Sequence, residues 1–367
     1  MTFADSQVVI TTTDGLVDMA SRGIVAPWLG AAKDDDGFLW VTRMGSRSIE
    51  SIEIPFGKNL AQLVIDKSVI LPVRAIAWSD LTGVVLQSSD LVREFSSRAY
   101  DNFDPKSILI VSEDLFIPSA IATDQLTLFS SETLISAKIS NSEPPDEYEI
   151  VDRIVGALAC VSATPLAESD LPLRDSIIRG IASNLVSHDF GVIPFHDSLL
   201  PLMSKEMGDF DLMGVILHQI SSFEPSSPIG VRSFVNSVSS EVSQPSANVS
   251  IGLNAVNEVL AAQRALPSLD SSVGLSSIKA LLLFCLRPDP IDAVEWAREM
   301  KSDPKSVIAA SALSGFRSGW SRLNWRLRGP DSYRGHMEKL LLNSITSHSS
   351  AELDLNNLTG WAKETQS

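Results

Sequence analysis

The sequence predicts an α+β protein, with a strand-rich first half followed by a mainly α-helical second half. Three observations carry this. Short β-branched and aromatic runs recur between polar breaks up to about residue 142. Ser142-Glu143-Pro144-Pro145-Asp146-Glu147 then interrupts the pattern with two prolines among clustered acids. Beyond it, apolar residues recur at helical rather than strand spacing. The expected organisation is a strand-rich α+β domain at 1–142, an acidic proline-containing linker at 143–149, a helical domain at 150–346 and a polar, loose tail at 347–367.

In the first half the strand candidates are Val8-Val9-Ile10, Phe38 to Val41, Ile49 to Ile54, Val69-Ile70-Leu71, Val84-Val85-Leu86, Ile108 to Val111 and Leu126 to Phe129. SIESIEIP alternates Ile with Ser or Glu, the pattern of a strand with one wet face. Asn59 to Asp66 and Asp90 to Tyr100 read as short helices, and the sheet as mainly antiparallel. Asp34-Asp35-Asp36-Gly37 lacks the alternating acids and distal glutamate of a calcium loop and reads as a solvated turn.

In the second half, helices are expected at Tyr148 to Ala163, Leu173 to Val186, Phe210 to Phe223, Ile251 to Leu266, Leu275 to Leu286, Ile291 to Met300 and Lys305 to Arg328. Asp289-Pro290 and Asp303-Pro304 mark two of the starts. The acid accepts free N–H groups, and the proline sits where its missing N–H costs nothing. Ser239 to Asn248 reads as a loop.

Composition bounds the function. The apolar fraction is 44%, enough for a packed core, and the net charge is −16. Such a chain repels phosphate backbones at long range, so any nucleic-acid contact needs a local patch or a partner. Residues 1–150 hold 22 acids and 11 bases and carry most of the negative charge. Cys160 and Cys285 sit far apart in apolar runs and read as buried thiols of a reducing compartment. No run approaches the ~18 apolar residues of a membrane span, and the N-terminus lacks the order of a signal peptide. A cytoplasmic protein that meets no membrane is expected.

No phosphate loop, dinucleotide fingerprint or G-x-S-x-G elbow is present, so the leading expectation is non-enzymatic, with no cofactor. Arginine and tryptophan interleave densely in VIAASALSGFRSGWSRLNWRLRGPDSYRGHMEK, residues 307–339. From Arg317 to Lys339 six bases face Asp331 and Glu338, a local sum of +4. If Lys305 to Arg328 is one helix, Phe316, Trp320, Leu323 and Leu327 form a buried seam at offsets of 4, 7 and 11. Trp325 then points outward between Arg322 and Arg326 on one flank and Arg317 and Arg328 on the other. Guanidinium groups bind carboxylate or phosphate bidentately, and an outward tryptophan fills a partner's pocket or stacks on a base. Arg317, Arg322, Trp325, Arg326, Arg328 and Arg334 are therefore the candidate partner-binding residues. The favoured partner is a protein, with nucleic acid the second class, within a larger assembly. The whole is then an adaptor subunit.

An alternative lies at 188–218. His188-Asp189 and His196-Asp197 are followed by Glu206, Asp209, Asp211 and His218, and imidazole and carboxylate are the ligands of hard or borderline metals. Both His188 and His196 are expected in a loop. GDFDLMGVILHQ with DPKSVIAASALSGFRSGW resembles ADP-ribosylglycohydrolases. The resemblance is confined to those two stretches. It implies an all-helical, magnesium-dependent hydrolase with an early aspartate pair and a late Asp-x-Asp-Thr. Here Asp209-x-Asp211 stands at the early pair. Asp303 stands alone at the late one, followed by Pro304-Lys305-Ser306 where an acid and a threonine belong. In this alternative His188, His196, Asp209 and Asp211 carry metal-dependent hydrolysis.

Overall fold

The computed structural model describes residues 6–43, 52–53, 59–99, 109–111, 137–138, 143–205, 208–220, 223, 228–243, 245–261, 275–299 and 303–346. The chain is mixed and mostly helical, and divides into two compact units, Met1–Asp146 and Glu147–Ser367.

In the first unit the elements run β1 (Gln7–Thr12), α1 (Thr13–Arg22), β2 (Ile24–Val25), β3 (Val41–Arg43), β4 (Ile52–Glu53), β5 (Leu60–Ile65), β6 (Ile76–Ala77), β7 (Leu81–Leu86), α2 (Ser89–Ala99), β8 (Leu109–Val111) and β9 (Ala137–Lys138). Five strands form one sheet in the order β3-β1-β5-β7-β8, antiparallel except for the β7–β8 pair. Strands β2 and β6 pair antiparallel, and β4 and β9 pair parallel.

Two expectations are corrected here. Asn59 to Asp66 is not a helix: Leu60–Ile65 is β5, hydrogen-bonded to β1 on one side and β7 on the other. All six of its residues are buried, so the alternation that marks a half-wet strand is missing. Val69-Ile70-Leu71 is not a strand but a turn region, with Ile70 85% exposed. The candidate Leu126 to Phe129 lies outside the described residues. Helix α1 was not foreseen. It starts where the Thr12 side chain accepts the Gly15 N–H and stops at Gly23, whose φ of 72° suits glycine.

The second unit comprises α3 (Tyr148–Ala163), α4 (Leu171–Val186), α5 (Val192–Ser198), α6 (Asp209–Gln219), α7 (Pro228–Glu241), α8 (Ala247–Leu260), α9 (Ser276–Leu286), α10 (Pro290–Glu299), α11 (Pro304–Ser318) and α12 (Asp331–Thr346). At its centre α3 crosses α11 at backbone contact. A Cβ on Gly315 would lie 2.4 Å from the Gly156 carbonyl oxygen, and one on Gly156 would lie 2.6 Å from the Gly315 oxygen. Helix α9 flanks α11 and is buried along nearly its whole length. The two Asp-Pro starts behave as expected. Asp289 accepts the Ile291 N–H at 2.8 Å, and Asp303 accepts the Ser306 N–H at 3.3 Å.

The helix expected over Lys305 to Arg328 ends instead at Ser318. Gly319 follows with φ 72°, and two 3₁₀ turns, Trp320–Arg322 and Trp325–Leu327, complete the segment. Helices α7 and α12 also go beyond the expected set. Among the described residues no helix is long and apolar enough to cross a membrane.

Candidate partner-binding segment

The segment after α11 is shaped by a buried carboxylate. Asp152, on α3, is 7% exposed and accepts both the Ser321 N–H and its hydroxyl, each at 3.0 Å. A continuing α-helix would send that N–H to the carbonyl of Arg317. The same carboxylate fills the space a side chain would need at residue 319: a Cβ there would lie 2.2 Å from Asp152 Oδ2. Glycine, the positive φ and Asp152 thus stop the helix together.

Arg328 closes the segment from within. It is 1% exposed, and its Nε–H donates to the Leu323 carbonyl at 3.0 Å. Its Nη2 donates to the Trp320 and Ser321 carbonyls at 3.0 and 3.1 Å, and the guanidinium lies over the Trp320 ring at 5.0 Å. Burial pulls its pKa down to about 10, opposed by the charges of Glu338 and Asp152. Glu338 itself is 1% exposed. Arg328 therefore satisfies three carbonyls of the first turn and its cap and does not belong to an outer face.

The other candidates divide. Arg322 and Arg326 are exposed, one on each 3₁₀ turn. Arg317 is half-buried, with its guanidinium 5.4 Å from the centre of the Phe223 ring. Arg334 is largely covered and pairs with Glu338 at 3.8 Å. The backbone of Trp325 starts the second turn, and its side chain lies outside the described ones. The predicted seam is buried residue for residue, Phe316, Trp320, Leu323 and Leu327 each at 5% exposure or less. Only Phe316 is on the helix. The rest reach the core from turns whose three-residue period mimics the helical offsets.

The His/Asp stretch does not gather into one site, although Asp211 lies near enough to His196 for its charge to act on the ring. His188 is exposed at a φ of 58°, its ring nitrogens near the carbonyls of Val186 and Asn343. His196 is on α5 rather than in a loop. Its Nε2–H donates to the Phe210 carbonyl at 2.8 Å, and its ring stacks on Phe210 with centroids 3.7 Å apart. Burial lowers its pKa, against the Phe210 carbonyl and the charges of Asp197 and Asp211.

Asp209 is fully buried and caps another helix. It accepts the N–H groups of Ser276 and Ser277 at 3.3 and 2.8 Å, the Ser277 hydroxyl, and the Ser204 N–H. The N-terminus of α9 thus takes its cap from α6, since the Leu275 side chain has no acceptor to offer. Asp211 is exposed.

Asp303 pairs with Lys279 at 3.0 Å while capping α11, and its pKa is lowered although burial alone would raise it. The two stretches that suggested a hydrolase do converge, because Ser276 touches both Asp209 and Ser306. They converge as caps whose carboxylates are already engaged. Among the described residues no three His, Cys, Asp or Glu side chains are placed to hold one metal ion.

Sequence reasoning missed Asp152, Glu338 and Arg174, all buried charges. Asp152 had a signal: with Arg153 it is the only charge between Val151 and Ala163 in an otherwise apolar helix. No family model, curated protein or solved structure matches this chain.

Proposed function

We propose that the chain is a non-enzymatic interaction subunit whose two units act as separate domains, with the segment after α11 meeting a protein partner in the cytoplasm. The observation that carries the reading is the pair of exposed arginines, Arg322 and Arg326, on consecutive 3₁₀ turns. The first of these turns is fixed from inside by Asp152 and Arg328. Fixed turns lower the ordering cost that exposed loops otherwise incur on binding. A forked guanidinium recognises a carboxylate bidentately, so the partner surface is acidic.

Nucleic acid is the second partner class, met through the same two arginines within an assembly. Against a chain of net charge −16, a protein is favoured. The test is Arg322→Glu with Arg326→Glu. The partner should be lost from the purified assembly while the denaturation midpoint stays within error. A nuclease-resistant complex with an unchanged 260/280 absorbance ratio separates protein from nucleic acid. Full retention of partner by the double variant overturns the reading.

A further inference from the structure

The C-terminal ends of α4 and α12 meet, and one imidazole lies between their carbonyls. The Ser344 hydroxyl, in the last turn of α12, donates to the Leu185 carbonyl at 3.3 Å. Beyond Val186 the chain turns through His188, the one non-glycine residue with a positive φ, 58°, among the described residues. Its ring is exposed. The Val186 carbonyl oxygen lies 3.1 Å from Nδ1, and the Asn343 carbonyl oxygen lies 3.3 Å from Nε2.

Both carbonyls belong to helix ends, where N–H donors run short. On α4 the others of the last turn are served: the Ser187 N–H reaches Ser183, the Asp189 N–H reaches Asn184 and the His188 N–H reaches Leu185. Among the described residues Val186 has no such backbone donor and faces Nδ1 instead. A neutral imidazole carries one N–H and one lone pair. Whichever tautomer forms, one of the two carbonyl oxygens then meets a nitrogen lone pair. The imidazolium donates to both, and it brings a cation to the negative ends of two helix dipoles at once. Neither helix supplies that cation itself, because the last turns, 183–186 and 343–346, hold no ionisable side chain. The ionisable groups next along the chain are Asp189 beside the ring, Arg179 on α4, and His336, Glu338 and Lys339 on α12. The remaining ring neighbour, Phe190, is uncharged, with centroids 5.5 Å apart.

We propose that His188 is a proton-operated clamp between α4 and α12. Its imidazolium caps the two C-terminal ends together, and loss of the proton releases one of them. Histidine changes charge between about pH 5 and 8, so the clamp closes on acidification through that range.

Hydrogen exchange on the full chain, read by mass spectrometry and corrected for the intrinsic pH dependence of exchange, tests it. Fraying of a helix end is read in this way apart from global unfolding. At about pH 5 the amides of 187–189 and 343–346 should be about two- to fivefold more protected than at about pH 8, the range for a cation at a helix C-terminus. In His188→Asn the two conditions should give the same protection at these amides. Asparagine tolerates the left-handed backbone, so this variant removes the two-sided donor and keeps the turn. The other histidines stay in place in it, and a gradient that it retains belongs to them. Equal protection at both pH values in the native chain overturns the proposal, as does a gradient that survives His188→Asn.

Discussion

Arg328 decides the shape of the segment after α11, and it does so as a buried cation. Its charge made it look like a surface residue in the sequence, because arginine is seldom fully buried. The groups that retain it, Asp152, Glu338 and three carbonyls, come from α3, α12 and turns whose folding the local sequence does not reveal. Replacing Arg328 with Met leaves those three carbonyls buried without their donor and removes the cation beside Glu338. A loss of about 3–5 kcal/mol is expected from urea denaturation, as for one broken partner of a buried pair.

His196 gives a pH signature. Burial holds its folded pKa below the unfolded value of about 6.5, so on acidification the unfolded chain takes the proton first. The contribution is complete above about pH 6.5, declines as pH falls through the window down to the folded pKa, and is flat below it. Denaturation midpoints measured across that window should fall for the native protein and fall less for His196→Asn.

At the scale of elements, the contact between α3 and α11 organises the second unit. On α11, Ala309, Ala310 and Ala312 are all buried. The nearest approach is one turn further on, at Gly315 against Gly156. Gly315→Ala places a methyl inside the facing backbone, and a loss of about 1–3 kcal/mol should appear as a lower thermal midpoint.

Most helices were legible because one face is apolar at helical spacing. The failures have particular causes. Strand β5 lacked alternation because neighbours cover both of its faces. Helix α7 was hidden by its serines, although Val231, Phe234, Val235 and Val238 line its buried side. Helix α12 was overlooked behind the charge pattern, although Tyr333, Met337, Leu340 and Leu341 are buried. Helix α11 was drawn too long because buried positions in successive 3₁₀ turns repeat at three, close enough to a helix to deceive.

At the scale of the molecule, most of the negative charge lies before residue 150, and the exposed arginine pair lies near the other end of the sequence. Of the six residues first assigned to a binding face, folding leaves Arg322 and Arg326 outside and Arg328 inside. The sequence located the basic segment but not its orientation. Orientation depends on where Asp152 stops the helix, a contact between residues far apart in the chain.

A contact made through two exposed arginines is screened by salt, since the Debye length is about 8 Å at physiological ionic strength. The partner's Kd for the native chain should therefore rise between 50 and 300 mM salt, roughly tenfold for a surface held by two charge-assisted contacts. The measurement that bears most directly on the central claim is that Kd, determined side by side for the native chain and for Arg322→Glu with Arg326→Glu. The expected result is binding weakened at least about tenfold at low salt, with the salt dependence lost and the denaturation midpoint unchanged. Equal Kd values and equal salt slopes for the two proteins would contradict it.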